Sequence, residues 1–178
     1  QLEARLHYPL ANALPDPGRT LVVAPGVKWI RMALPFALDH INLWLLRDTL
    51  DGVEGWTVVD TCIARDEAKA QWEQVFANEL EGLPVLRVIV THMHPDHIGL
   101  AQWLCERWSC RLWISGTDYH MACIGSRSTT GFGGDGAAAF FRAHGLLDPD
   151  SLDKIRARAG YYPGLVPGVP RQYRRLME

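Results

Sequence analysis

The stretch Thr91-His92-Met93-His94-Pro95-Asp96-His97-Ile98-Gly99-Leu100 follows directly on the apolar run Val85-Leu86-Arg87-Val88-Ile89-Val90. It places three histidines and one aspartate within six positions, His92 to His97. Imidazole and carboxylate at this density suit a borderline divalent metal such as Zn²⁺, which takes N and O donors at about 2.0–2.2 Å. A solvated turn has no reason to collect them. The preceding run is apolar except for Arg87, so it reads as a central strand with the donors at its carboxyl end. A strand, a donor loop and then a helix is the α/β layout in which sites form.

Within the loop, alternate residues of an extended segment project to one side, so His92 and His94 can face a common metal. Asp96 and His97 are adjacent and cannot both follow that direction. A backbone turn at Pro95 would aim them at a second point. Such a set favours two neighbouring metals, about 3.5–4 Å apart, over one closed tetrahedron. Each metal would need further donors from elsewhere, with room left for water.

Working outward, β-rich apolar runs occupy Thr20–Ala24, Val27–Leu34, Ile41–Leu46 and Trp56–Val59, separated by Pro25-Gly26 and Asp51-Gly52. They read as antiparallel strands entering a sheet. Arg65 to Leu80 has helical spacing, with Ala68, Trp72, Val75, Phe76 and Leu80 on one face, and Gly82 and Pro84 stop it. Ile98 to Trp108 predicts a second helix and Arg111–Ser115 a short strand. Beyond Gly116 the pattern is helical and loop-rich: Thr117–Ile124 with Thr117 as N-cap, then Ala137–His144 and Ser151–Ala159. Ser126 to Gly136 reads as mobile. The organisation expected is one unit: a lead-in over 1–18, the sheet, helices and donor loop over 19–116, and a helical insertion over 117–178.

The 178 residues suffice for one domain with a real core. With 48% hydrophobic and 21% charged residues, disorder is excluded. A net charge of -2 and no basic stripe argue against nucleic acid; Arg171, Arg174 and Arg175 read as solvated surface. No apolar stretch reaches the roughly 20 residues that span a bilayer. Cys62, Cys105, Cys110 and Cys123 lack paired zinc-finger spacing and read as buried thiols in a reducing, cytoplasmic setting.

His92-x-His94-x-Asp96-His97 after an apolar strand resembles the metal-binding motif of the metallo-β-lactamase superfamily. Val58-Val59-Asp60-Thr61, about 30 residues upstream, resembles that family's strand ending in an Asp-Thr-Gly turn; Asn42 on its strand and Gly99-Leu100 also fit. The resemblance covers roughly residues 20 to 116. It implies an α/β (α+β) fold, the αββα sandwich, of which this chain would be the N-terminal half. It also implies two divalent metals, usually zinc, sometimes iron or manganese. In that pattern His92 and His94 serve the first metal, Asp96 and His97 the second, with Asp96 also catalytic. Asp60 and Thr61 would steady the loop from behind the donors. Cys62 stands where the family usually has glycine and reads as a small buried residue.

The family's remaining donors, a downstream histidine, a bridging aspartate and a final histidine, have no match after residue 116; His120 and His144 lie in helical contexts. Half a sandwich should expose a wide apolar face, covered by a second copy or by the segment after Gly116. Metal should be under-occupied and hydrolysis weak. The activity implied is hydrolysis of a thioester, as in glyoxalase II-like members, or of a lactone or related small-molecule carbonyl, through attack by a metal-bound hydroxide. An iron-based redox protein and a non-catalytic scaffold are the alternatives on the same fold. His40, Asn42 and Thr130–Gly136 could line the mouth of the site.

Overall fold

Residues 21–59 build an antiparallel meander, with burial alternating along its second and third strands, in the computed structural model, which describes residues 5–127 and 133–176. The strands are β1 (Leu21–Ala24), β2 (Val27–Ala33), β3 (His40–Leu50) and β4 (Val53–Val59). Asp51 and Gly52 close the β3–β4 hairpin at φ 51° and 80°. Two consecutive positive φ values match the twist of paired strands, which is why Asp-Gly ends these runs. The period then becomes helical in α1 (Asp66–Asn78), which buries Ala68, Trp72 and Val75.

Parallel strands complete one seven-stranded sheet in sequence order: β5 (Val85–Ile89), β6 (Arg111–Ile114) and β7 (Tyr173–Arg175). The apolar run before the donor loop is therefore paired on both sides, between β4 and β6. Arg171, Arg174 and Arg175 are exposed, as expected for the arginine-rich end, but the strand β7 that carries two of them is absent from that expectation. Three residues carry no period to read; β7 exists because Leu112, Trp113 and Ile114 offer it an edge to pair with.

One face of the sheet carries Ile30, Met32, Leu43, Leu45, Val58, Val88 and Leu112, all buried against Trp72, Val75 and Leu104. Each such side chain contributes about 1.5–3 kcal/mol relative to exposure. The opposite face presents a row in continuous register: Leu21, Trp29, Trp44, Val59, Ile89, Trp113 and Arg174. The Trp29 and Trp44 rings stack at 6.3 Å, and Arg87 and Arg174 both lie over Trp113. Arg174 is exposed, and the apolar members of this row are only half-buried.

The single helix expected over Ile98–Trp108 is two: α2 (Pro95–Ile98) and α3 (Ala101–Trp108). The Asp60–Cys62 turn intervenes. The Thr61 N–H and hydroxyl both donate to the His97 carbonyl at 2.8 Å, and Leu100 N–H donates to Thr61 Oγ1 and the Cys62 carbonyl, each at 3.1 Å.

After β6 come α4 (Gly116–Arg127), α5 (Gly134–Ala143), α6 (Pro149–Ala157), a 3₁₀ turn (Arg158–Gly160) and α7 (Tyr161–Leu165). The cap of α4 is Ser115, not Thr117: Ser115 Oγ accepts from Asp118 N–H at 3.0 Å and donates to Asp118 Oδ2 at 2.6 Å. The helical segment does not lie over the open sheet face. It docks at the carboxyl ends of the strands, where Tyr162 Oη donates to the Met93 carbonyl and Ala64 N–H to the Leu165 carbonyl. Among the described residues no helix is long and apolar enough to cross a membrane.

Candidate metal centre

Strands β4 and β5 run parallel, so the Asp60 turn and the donor loop leave the sheet side by side. Asp60 N–H donates to the Ile89 carbonyl at 2.9 Å, extending the ladder by one step beyond the strands. Asp60 has φ 60° and Cys62 φ 72°, a left-handed path that non-glycine residues adopt at about 1–2 kcal/mol each. The family position usually held by glycine thus keeps a glycine-like backbone. Cys62 is fully buried, and burial pushes its thiol up to about 12, which makes it an inert packing residue.

Asp60 is 5% exposed and fully engaged. Its Oδ1 accepts Thr91 N–H at 2.8 Å, its Oδ2 accepts the Thr91 hydroxyl at 2.8 Å, and Oδ2 stands 2.8 Å from His97 Nδ1. That last contact puts the donor proton on Nδ1 and leaves Nε2 facing outward, 3.4 Å from Asp96 Oδ2.

The backbone does turn at Pro95. His94 is extended at φ -59°, ψ 145°, and Pro95 opens α2 with Asp96 and His97 in its single turn. All three rings are brought together: His92 and His94 centroids are 4.6 Å apart, His92 and His97 3.9 Å. Burial and the neighbouring His97 and His94 hold His92 below its ordinary value. Burial works against a charged His97, but the hydrogen bond and charge of Asp60, with Asp96, outweigh it and raise that ring. Two carboxylates flanking one imidazole favour a cation at Nε2, the chemistry a metal requires. Among the described residues, however, no three His, Cys, Asp or Glu side chains converge as a ready metal site. The donors fit a divalent metal in kind and in clustering, as a partial set.

Among the described residues the other candidates do not join the cluster. His40 Nδ1 pairs with Asp39 Oδ1, and Asn42 Oδ1 accepts Trp29 Nε1–H at 2.9 Å on the open sheet face. Of the candidate lining Thr130–Gly136, residues 130–132 lie outside the described residues, while Gly133 packs on the Arg158–Ala159 backbone and Gly134–Gly136 open α5. His120 is in α4 and His144 caps α5, where Nδ1 meets the Phe140 carbonyl.

Two residues not singled out from sequence hold the loop. Asp118 Oδ1 accepts Met93 N–H at 3.0 Å, and Tyr162 reaches the Met93 carbonyl. For Asp118 the signal was legible, since Ser115-x-x-Asp118 is a capping-box spacing. With His94 and Pro95, Tyr161, Tyr162 and Arg158 enclose a hollow of about 150 Å³ beside the rings.

A mixed sheet flanked by helices, with histidines and an aspartate at the ends of its parallel strands, defines an α/β protein. The particular family follows from comparison. The sequence pattern described as the metallo-beta-lactamase superfamily matches residues 37–158, and the chain belongs to that superfamily. It is 53% identical to a Beta-lactamase domain protein from Burkholderia ambifaria, with a TM-score of 0.88, covering 99% of this chain and 49% of that one. A metallo-beta-lactamase family protein from Thermus thermophilus shares the fold at 24% identity and a TM-score of 0.60, covering 88% of this chain and 48% of that one. The chain thus spans about half the length of these two solved structures. No curated protein matches it.

Proposed function

We propose that this chain contributes the histidine-rich part of the site of a metal-dependent hydrolase acting on a small-molecule carbonyl, a thioester or lactone first. The reading is carried by one observation: His92, His94 and His97 cluster at the ends of parallel strands, with Asp60 locked behind His97. In the family pattern His92 and His94 would hold one divalent metal, zinc before iron or manganese, and Asp96 with His97 a second. Metals so held act as Lewis acids toward a carbonyl and make water nucleophilic near neutral pH.

The chain's own residues supply positioning. Asp60 fixes the His97 tautomer, Thr91 ties Asp60 to the strand end, and Asp118 and Tyr162 pin Met93 between the two histidines of the first pair. In this reading Asp96, in the first turn of α2, orients the attacking water and accepts its proton. The half-exposed row from Leu21 to Trp113 is the surface on which the rest of the family's fold, or a second copy, would pack.

The test is a panel of thioester, lactone and nitrocefin substrates given to the protein of the full reading frame after zinc loading. Hydrolysis of at least one class, lost in Asp96→Ala while zinc is retained by His92 and His94, is the expected result. A zinc-loaded protein inactive on the whole panel would end the hydrolase reading.

A further inference from the structure

Helix α3 closes, at its end away from the donor loop, in a way that puts two thiols together. Ser109 takes the left-handed conformation at φ 50°; Cys110 N–H donates to the Cys105 carbonyl at 3.0 Å, and Ser109 N–H to the Glu106 carbonyl at 3.4 Å. This is a Schellman closure, in which the residue after the left-handed position touches the one five places before it, usually through apolar side chains. Here both are cysteines and both are free thiols, and the neighbouring Cys105 thiol lowers the pKa of Cys110.

The separation suits a covalent bond. Bond lengths on either side of a 3.0 Å N···O contact limit the two Cα atoms to under about 7 Å. A disulfide spans about 4.4–6.8 Å between Cα atoms. The pair also opens to solvent, on a cleft of about 520 Å³ lined by Gln102, Cys105, Glu106, Cys110, Arg111 and Arg171. Cys105 is 7% exposed and Cys110 more accessible, so the two differ in reach. Arg111 and Arg171 are exposed at the rim and give the cleft a positive edge.

We propose that Cys105 and Cys110 form a dithiol site that exchanges with small anionic disulfides and closes into an intramolecular disulfide. The Cys110 thiolate attacks the incoming disulfide, forming a mixed disulfide and expelling one thiolate. Cys105 then gives up its proton to water and attacks the Cys110 sulfur, expelling the second thiolate. The small disulfide is reduced to two thiols as the protein's two thiols are oxidised to one disulfide. The Cys105 thiol lowers the Cys110 pKa although burial opposes it, which favours Cys110 as the first to react. The proposal is independent of the hydrolase reading.

Arg107 and Arg111 make the product directly visible. Trypsin places Cys105 on Val88–Arg107 and Cys110 on Trp108–Arg111, so only a disulfide joins the two peptides. The purified chain is incubated with glutathione disulfide, alkylated and digested. The expected result is the linked pair, separated by reductant, while Cys105→Ala stops with glutathione on Cys110 and Cys110→Ala leaves Cys105 unmodified. Arg171→Glu should slow exchange with glutathione disulfide several-fold and leave exchange with the uncharged hydroxyethyl disulfide unchanged. Alkylation of both cysteines with no linked peptide in the wild-type chain overturns the proposal. So does glutathione found only on Cys62 or Cys123. The wild-type digest decides the matter even where a cysteine variant fails to fold.

Discussion

His97 Nδ1 stands 2.8 Å from Asp60 Oδ2, across 37 residues of sequence, and this contact fixes which nitrogen of the His97 ring faces outward. Asp60→Ala removes the orienting carboxylate and also orphans Thr91 N–H, which Asp60 Oδ1 accepts at 2.8 Å. Loss of such a support lowers metal affinity about 10–100-fold. Zinc competition against a chromophoric chelator reads the change. An affinity equal to that of the parent chain would deny Asp60 this role. Elemental analysis of the unaltered chain should find less than stoichiometric zinc, in line with a partial donor set.

Acid stability follows from a second carboxylate. Burial opposes ionisation of Asp48, but the Thr57 hydroxyl and the Arg87 guanidinium, 2.6 Å from Oδ2, outweigh it and lower its pKa. The folded value lies below the unfolded one, about 3.9. The stabilisation is therefore complete above the unfolded value and disappears as pH falls through the folded one. Asp48→Asn should cost about 1–2 kcal/mol at pH 7 in urea unfolding. That gap should narrow steadily in acid below about pH 4. A gap independent of pH would show the pair to be energetically idle.

Gly99 lies where the loop crosses the Asp60–Cys62 turn. A Cβ there would stand 2.6 Å from the Cys62 carbonyl oxygen and 2.7 Å from Ile63 Cα, both backbone. Gly99→Ala should destabilise by roughly 2 kcal/mol or more. Gly136→Ala, in α5 with nothing within 4 Å, should stabilise by about 0.5–1 kcal/mol. Thermal unfolding of the two variants should move in opposite directions.

The row joining Trp29, Trp44, Val59, Ile89 and Trp113 gives the chain an apolar face that none of its own described helices covers. Self-association through this face should appear in light scattering at micromolar concentration, and Trp44→Glu should shift it to monomer. A monomer throughout in the parent chain would remove the second copy as an occupant.

The role of the Asp60-Thr61 turn behind the donor loop came only with the family resemblance; the sequence by itself determined the donor loop and its place at the end of a buried strand. These are local facts: His92, His94, Asp96 and His97 carry their chemistry in their types, and Val85–Val90 carries its burial in an apolar run broken only by Arg87. Tertiary structure alone decided which side chains meet. The helix after Pro95 breaks because Thr61 and Cys62 take backbone bonds that a continuous helix would use. Asp118 and Tyr162 grip Met93 from 25 and 69 residues away, and β7 forms only because β6 presents an edge. The register that lines up Trp29, Trp44 and Trp113 across five strands is set by pairing between distant segments. No local period encodes such partners, because the free energy of these contacts exists only once the sheet has assembled.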